Sequence, residues 1–168
     1  MPPNAQPRIE PAAETDLEAV TDLWVRLARE QRDHDSHVRP AENRATIRET
    51  LSAHRVGDGL LVARLDGEVV GFASFTVEHG TFELDVTRGL LSNLYVTPSR
   101  RGEGIGTALL EAVEDALAER GVDVVTLEAM ADNEAARRFY RRNGYDAHRV
   151  AMERNLETKN DTPSKDER

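Results

Sequence analysis

The sequence has no cysteine, and this absence excludes several kinds of chemistry. A chain without thiols forms no disulfide, offers no thiolate to a metal and has no cysteine nucleophile. Lysine is nearly absent as well, because Lys159 and Lys165 are the only two among 22 basic residues. Arginine therefore supplies almost all of the positive charge, and catalysis through a protein thiol is excluded.

Positive charge is also in deficit overall. The chain carries 31 acidic residues against 22 basic ones, which gives a formal net charge of -9. Binding to nucleic acid regardless of its base sequence needs a basic protein surface, and anionic membrane surfaces attract basic segments. We therefore expect no nucleic-acid partner and no membrane partner.

Long apolar runs and targeting signals are missing too. The opening "MPPNAQPRIEP" has neither a basic region nor an apolar region of the kind that a signal peptide needs, so we expect a cytoplasmic protein. The length of 168 residues suits a single domain, which we place at residues 8–156. Residues 1–7 are expected to form a flexible lead, and the polar residues 157–168 a disordered tail.

Apolar periodicity predicts the elements of the first half. The capping box at Thr15–Glu18 and the apolar stripe after it predict a first helix. A second helix is expected between Ala41 and His54. The runs "LLVARL" and "EVVGFASFTV" are typical of strands, and Asp66-Gly67 between them predicts a two-residue hairpin turn.

The second half alternates between strands and helices. "LLSNLYV" is expected to be a strand, followed by a helix that closes at Gly121 and by the strand "VDVVTLEA". Asp132 is expected to cap a helix at Glu134–Arg142, and "YDAHRVAMERNL" to form a final strand. The predicted order is β, α, α, β, β, β, α, β, α, β, which indicates an α/β fold with a mixed sheet and helices on both faces.

The segment "SRRGEGIGTALL" combines three alternate glycines with the start of a helix. Glycine opposes helix formation, and the usual reason for such a conflict is that phosphate groups lie against bare backbone where a helix begins. A Walker A loop needs a lysine after its last glycine, where this chain has Thr107, and the spacing G-x-G-x-x-G of dinucleotide sites is not met. Both of those phosphate-binding motifs therefore fail.

The segment does match R/Q-x-x-G-x-G/A, through Arg101, Gly104 and Gly106. "LYVTPSRRGEGIGTALL" and "NEAARRFYRRNGY" resemble two motifs of the GCN5-related N-acetyltransferase (GNAT) family, and weaker similarity extends from Arg8 to Leu156. The resemblance implies a mixed, mostly antiparallel sheet in which a central parallel pair of strands splays apart.

The resemblance also implies acetyl-CoA as co-substrate, with no metal. Its pyrophosphate would lie on the backbone amides at the start of the helix, where any Cβ at Gly104 or Gly106 would push the phosphates away, and Arg100 or Arg101 would add a charge. Its pantetheine arm would pair with Leu94–Val96, and the amide of Val96 or Tyr95 would polarise the thioester carbonyl. The predicted cofactor-binding residues are Leu94, Tyr95, Val96, Arg101, Gly102, Glu103, Gly104, Ile105, Gly106, Thr107, Asn133 and Tyr140.

The implied chemistry needs an acid and a base. Tyr140 matches the family's tyrosine and is the candidate acid for the departing thiolate, although a tyrosine in an amphipathic helix also simply packs against a sheet. Asn133 resembles the residue that binds the coenzyme arm, and a plain helix cap is compatible with that role. Many members carry a glutamate where "LLSNLYV" has Ser92 and Asn93, so Glu83 and Asp85 are the candidate bases, acting through water.

Three hypotheses for function remain. The first is an acetyl-CoA-dependent N-acetyltransferase that acetylates a primary amine of a small molecule or protein by direct attack in a ternary complex. The second is a catalytically silent acyl-CoA-binding regulatory module, which the missing glutamate supports, and the third is a nucleotide-binding domain. The acceptor stays open, a homodimer is possible, and the histidines of "DHDSH" are expected to lie in a solvated loop rather than at a metal.

Overall fold

The computed structural model describes residues 6–157, so the predictions for residues 1–5 and 158–168 lie outside the described part. Nine helices and strands of this part define the fold. In chain order they are β1 (Arg8–Pro11), α1 (Leu17–Arg32), α2 (Arg44–Val56), β2 (Leu60–Leu65), β3 (Glu68–Val77), β4 (Arg88–Val96), α3 (Ile105–Glu119), β5 (Val124–Thr126) and α4 (Glu134–Arg142). No helix among residues 6–157 is long and apolar enough to cross a membrane.

The strands form one mixed sheet in the order β1-β2-β3-β4-β5. The first four are antiparallel neighbours, and β5 runs parallel to β4. The predicted hairpin between β2 and β3 is confirmed: Asp66 and Gly67 have φ values of 51° and 82°, the positive values that a two-residue turn of this kind requires. The parallel pair predicted around the glycine segment is confirmed as well.

Helices cover both faces of the sheet. On one face α1 and α2 pack on a cluster that includes Leu51, Phe72 and Tyr95. On the other face α3 inserts Leu109 and Leu110, both fully buried, into a second cluster, and α4 adds partly buried aromatic rings to it. Side chains alternate between the two faces of a strand, so β3 and β4 contribute to both cores.

Two predicted helix caps are wrong. Thr15 does not cap α1; the neighbouring Asp16 is buried and accepts hydrogen bonds from Ala13 N–H at 2.8 Å and from Arg64 Nη2 at 2.9 Å. At α4 the cap is Asn133, whose Oδ1 accepts from Ala136 N–H at 3.1 Å. No side chain therefore caps α1, because Asp16 bonds to an amide that precedes the helix. At α4 the side chain of Asn133, rather than that of Asp132, pairs with a free backbone N–H of the first turn.

The predicted final strand is wrong for the described residues. No strand occurs between Arg142 and residue 157, so β5 is the last strand of the sheet in this part of the chain. It has only three residues. The segment is fixed by side-chain contacts instead: Tyr145 Oη donates to Glu114 at 2.8 Å, and His37 pairs with Glu153 at 2.9 Å. Strand propensity alone does not form a strand where the backbone has no partner.

Asp16 links β2 to the start of α1, and its charge should stabilise the fold. Burial acts to raise the pKa of Asp16, but hydrogen bonds from Arg64 and from Ala13 N–H outweigh it and hold the pKa below its ordinary value. We expect Asp16→Asn to lower the free energy of unfolding by roughly 1–3 kcal/mol at neutral pH.

The stabilisation should depend on pH in one direction. The pKa of Asp16 is lower in the folded protein than in the unfolded chain, where it is about 4, so the ionised carboxylate stabilises the fold at pH values above about 4. This stabilisation is lost as the pH falls from there towards the folded-state pKa. Urea denaturation across pH would measure it, with Asp115→Asn on the exposed side of α3 as the control, expected to change stability by less than about 0.5 kcal/mol. Equal effects of the two substitutions at neutral pH would contradict the assignment.

Candidate active site

A gap between β4 and β5 is the main feature of the site. The parallel pairing of the two strands ends at Leu90 and Thr126, while β4 continues for residues 91–96. On its other side β4 stays paired with β3 as far as Val96, so within residues 6–157 no strand pairs with the second edge of its terminal half. Unpaired backbone groups of a strand need another partner, and an extended ligand can supply one.

The direction of the β4 amides shows which of the two predicted donors, Val96 or Tyr95, faces the gap. Thr97 donates its N–H to Val70 O of β3 at 2.8 Å. Residues along an antiparallel strand alternate between facing the partner and facing away, so the amide of Tyr95 also faces β3. The amides of Leu94 and Val96 therefore face the gap, which favours Val96 over Tyr95 as the donor to a ligand there.

The chain after β4 turns into α3 through the glycine segment. Gly102 and Gly104 have φ values of 80° and 85°, the left-handed region that side chains with a Cβ disfavour, and open space surrounds both Cα atoms. Ala108 is the first residue of this segment, within residues 6–157, whose amide donates to a backbone carbonyl, that of Gly104 at 3.0 Å. The amides of residues 102–107 thus precede the first helical bond, at the positive end of α3.

Gly106 also makes a contact that the sequence analysis did not predict. A Cβ on Gly106 would lie 3.3 Å and 3.4 Å from two ring carbons of Phe139 on α4. The bare backbone therefore lets α4 pack closely on the first turn of α3. The sequence could not separate this helix contact from an approach of phosphate, because both need the same missing side chain.

The side chain of Arg101 is already engaged within the protein. Its Nε donates to Val96 O at 2.9 Å, and its Nη2 donates to both carboxylate oxygens of Glu30, at 2.9 Å and 3.2 Å. The guanidinium carbon lies 5.2 Å from the centre of the Tyr95 ring. Arg101 thus links the glycine turn to the end of α1. Arg100 has a longer ion pair within the protein, 3.8 Å from its Nη1 to Glu103 Oε1.

Tyr140 lies on α4 beside this turn. Its ring packs edge-on against Phe139 at 5.1 Å and Tyr145 at 5.9 Å, between centroids. Burial raises the pKa of Tyr140 to about 12, because a phenolate would lose its hydration there. The hydroxyl therefore keeps its proton at neutral pH, as a proton donor must.

The candidate bases lie apart from Tyr140. Asp85 lines a cleft at the start of β5 together with Val124 and His148, and Glu83 is exposed on the segment that precedes β4. Within the described part of the chain, no contact joins either carboxylate to Tyr140 or to the glycine turn. On β4 itself, Asn93 donates to the buried hydroxyl of Ser74 at 2.9 Å.

The histidines of the loop after α1 have carboxylate partners. His34 Nδ1 lies 2.9 Å from Asp132, just before α4, and His37 Nε2 lies 2.9 Å from Glu153. These pairs join the loop to the far end of the chain. The sequence analysis missed them, as it missed Glu30, because the partners are separated by 71 to 116 residues and no spacing signals such contacts.

The arrangement, a gap beside β4 that ends in a glycine turn at a helix N-terminus, defines a class of acyltransferases. The model of the family described as "Acetyltransferase (GNAT) family" matches residues 17–145. The chain belongs to this family. A relative named an uncharacterized N-acetyltransferase, from Archaeoglobus fulgidus, is 39% identical over 83 residues, which are 49% of this chain and 56% of that protein. The chain thus spans about half the length of that relative.

Solved structures share the fold over nearly the whole chain. A GCN5-related N-acetyltransferase from Ralstonia eutropha is 25% identical with a TM-score of 0.70, and the match covers 90% of this chain and 99% of that one. The aminoglycoside N-acetyltransferase AAC(6')-Iy, solved in complex with CoA, has a TM-score of 0.69 at 19% identity, over 93% of this chain and 99% of that one. At this identity the second likeness shows the fold alone.

All three tyrosines of the chain should resist ionisation in the folded protein. Burial raises the pKa of Tyr140 to about 12, and burial with a hydrogen bond to Glu30 does the same for Tyr95. Burial and a hydrogen bond to Glu114 raise the pKa of Tyr145 further. A spectrophotometric titration should therefore show little tyrosinate at pH about 10, where free tyrosine is half ionised.

The unfolded protein in urea is the control for this titration and should ionise its tyrosines near pH 10. Because the folded-state values are the higher ones, the folded protein should lose stability as the pH rises from about 10 to about 12. Half-complete ionisation of the folded protein at pH about 10 would contradict the described burial of the rings.

Proposed function

We propose that the protein is an acetyl-CoA-dependent N-acetyltransferase that acetylates a primary amine by direct attack in a ternary complex. The observation that carries the proposal is the occurrence, among residues 6–157, of amides without a backbone partner at two places close along the chain: the edge of β4 that faces the gap and the turn at residues 102–107. An extended thioester carrier with a pyrophosphate at one end fits both parts. The CoA complex of the structurally similar aminoglycoside N-acetyltransferase supports the same choice of carrier.

The residues present would hold acetyl-CoA in a defined way. The amides of residues 102–107 would donate to the pyrophosphate, with Arg100 rather than Arg101 as the nearby cation. The free edge of β4 would bind the pantetheine arm, and Asn133, which uses Oδ1 to cap α4, keeps its Nδ2 for the same arm. When bound, the thioester supplies the acetyl group.

Tyr140 is the proposed acid. Its protonated hydroxyl would give a proton to the departing thiolate, and the Val96 amide would polarise the thioester carbonyl from the gap. Glu83 and Asp85 remain the proposed bases, and from their position ahead of β4 they would accept the amine's proton through water. The lack of cysteine excludes an acyl group held on a protein thiol.

The acceptor would enter from the side of α1 and α2. A cleft of about 390 Å³ lies there, lined by Trp24, His37 and residues of α2. The acidic residues of the loop after α1, Asp33 and Asp35, are exposed and would favour a cationic amine. We propose a primary amine of a small molecule or of a protein as the acceptor class.

Substitution of Gly104 should lower the affinity for CoA. The loss of affinity should be larger than the loss of folding stability alone would cause. Gly104→Ala forces a Cβ into the left-handed region and adds a methyl beside the unpaired amides, so stability should fall by about 1 kcal/mol and CoA affinity by at least tenfold. Gly67→Ala is the matched control, because Gly67 has a φ of 82° and open space around it but lies in the β2–β3 turn.

Thermal unfolding and calorimetric titration with CoA would separate the two effects. We expect similar losses of stability in both variants and weaker CoA binding in Gly104→Ala alone. Unchanged CoA affinity in Gly104→Ala, or no binding of CoA by the wild-type protein, would remove the basis of the proposed function.

Tyr140→Phe should slow turnover without weakening CoA binding. The loss of the proton donor should lower kcat by on the order of 10²–10⁴-fold, while the ring keeps its packing against Phe139 and Tyr145. Release of free thiol from acetyl-CoA with a panel of amines would measure it. CoA binding with no turnover on any amine would instead favour the silent acyl-CoA-binding module, which the missing glutamate on β4 also supports.

A further inference from the structure

The imidazole of His34, in the loop after α1, is oriented by a carboxylate. His34 Nδ1 lies 2.9 Å from Asp132 Oδ1, and within residues 6–157 no hydrogen bond or ion pair occupies His34 Nε2. A carboxylate only accepts hydrogen bonds, so the proton of the neutral ring lies on Nδ1 and the lone pair on Nε2. A carboxylate in this position also stabilises the imidazolium that forms when Nε2 takes a proton. His34 therefore has the arrangement of a general base.

The end of α1 and the loop after it span the open end of the gap between β4 and β5. On one side Glu30 holds Arg101, whose Nε donates to Val96 O at the end of β4. On the other side His34 pairs with Asp132, in the segment that joins β5 to α4. Residues 30 and 34 are separated by at most about 14 Å of chain. The imidazole thus lies near the end of β4 as well as near the start of α4.

His34 and Tyr140 approach the gap from different faces of the sheet. Tyr140 packs with the cluster under α3 and α4, whereas α1 and α2, which the loop of His34 connects, cover the other face. The same loop lines, through His37, the cleft of about 390 Å³ through which the acceptor is proposed to enter. Acylation of an amine needs a base on the side of the amine and an acid on the side of the sulfur. The two residues meet this requirement.

The carboxylates proposed as bases precede β4 and lie at the other end of the strand. Asp85 lines a cleft together with Val124, the first residue of β5. β4 has nine residues, from Arg88 to Val96, so its ends are roughly 25 Å apart at about 3.3 Å per residue. A proton that leaves the gap would have to cross much of this length through water to reach Asp85. A base beside the amine shortens the transfer.

We propose that His34 is the catalytic base of the acetyl transfer and that Asp132 is the residue that positions it. This inference rests on the proposed function. His34 Nε2 takes one proton from the acceptor ammonium, and the freed electron pair of the nitrogen forms the C–N bond as the thioester C–S bond breaks. Tyr140 gives its proton to the sulfur and regains one from the new amide nitrogen, while the imidazolium of His34 releases its proton to water.

The tautomer of His34 can be tested in the protein without substrates. Nitrogen NMR spectra of the histidine rings distinguish a nitrogen that carries hydrogen from one that has a lone pair, and the signals that vanish in His34→Asn identify the residue. We expect hydrogen on Nδ1 and a lone pair on Nε2 in the neutral ring. Hydrogen on Nε2 of the neutral ring would overturn the inference.

Turnover should depend on His34 and not on a similar histidine elsewhere. His34→Asn keeps an N–H for Asp132 but removes the lone pair, so kcat should fall on the order of 10²-fold with CoA affinity and thermal stability unchanged. The control is His54→Asn on α2. His54 Nδ1 also donates, to Thr50 O at 2.9 Å, but His54 lies next to the start of β2, which β3 separates from β4. This variant should keep the wild-type kcat.

The pH dependence of kcat separates a base from a structural contact. In the wild-type protein kcat should fall as acid protonates His34 Nε2, and in His34→Asn this dependence should be absent. The charged side chains around the imidazole, other than Asp132, are Arg32, Asp33 and Asp35 on its own side and Glu134 and Arg137 on the side of α4. All of them are the same in both proteins, so a difference between the two profiles reports His34.

Wild-type turnover tests the proposed function, and the variants test this inference. If the wild-type protein acetylates an amine and His34→Asn keeps its kcat and its pH profile, the inference is overturned while the proposed function stands. The proton would then pass to Glu83 or Asp85 through water. If the wild-type protein acetylates no amine of the panel, both are overturned.

A second variant decides the matter if His34→Asn does not fold. Asp132→Asn leaves the imidazole in place but removes the charge that orients it, so kcat should fall, by less than in His34→Asn, with an unchanged KM for acetyl-CoA. An unchanged kcat in Asp132→Asn would overturn the inference.

Discussion

The early end of the pairing between β4 and β5 is the constraint on which the site depends. A backbone donor without a partner is costly, and in the part of the chain that the structure describes, residues 91–96 of β4 have β3 on one edge and no strand on the other. The glycine turn then places a helix N-terminus at the mouth of the same gap. Among residues 6–157, amides without a backbone partner therefore occur at two places close along the chain, at Leu94 and Val96 of β4 and at residues 102–107 of the turn.

The arginine before the glycines shows how the turn keeps its shape. Arg101 bonds to Val96 O, to Glu30 and to the face of Tyr95, so the turn is fastened to the sheet and to α1 at once. The planar guanidinium thus bonds to a carbonyl and a carboxylate and lies over an aromatic ring, which makes it a good structural clamp. The unpaired amides are thereby held in position before any ligand arrives, and the ordering cost on binding falls accordingly.

Much of the fold was predictable because its signals are local. The apolar stripes of α1 and α3, the Asp66-Gly67 turn and the motif from Arg101 to Gly106 each lie within a few residues of sequence. What failed depended on contacts between distant residues. Asp16, and not Thr15, accepts the amide of Ala13 and pairs with Arg64, which is 48 residues away, and the strand expected at residues 145–156 does not form. The roles of Arg101 and Gly106 follow from Glu30 and Phe139, whose proximity no motif records.

The missing side chain at Gly106 has a mechanical consequence. Phe139 packs against this position, and Tyr140 is the next residue of α4. The missing Cβ therefore sets how closely the first turn of α3 approaches α4, the helix that carries Tyr140. If the proposed ligand binds at the turn, this contact between the two helices fixes its position relative to Tyr140.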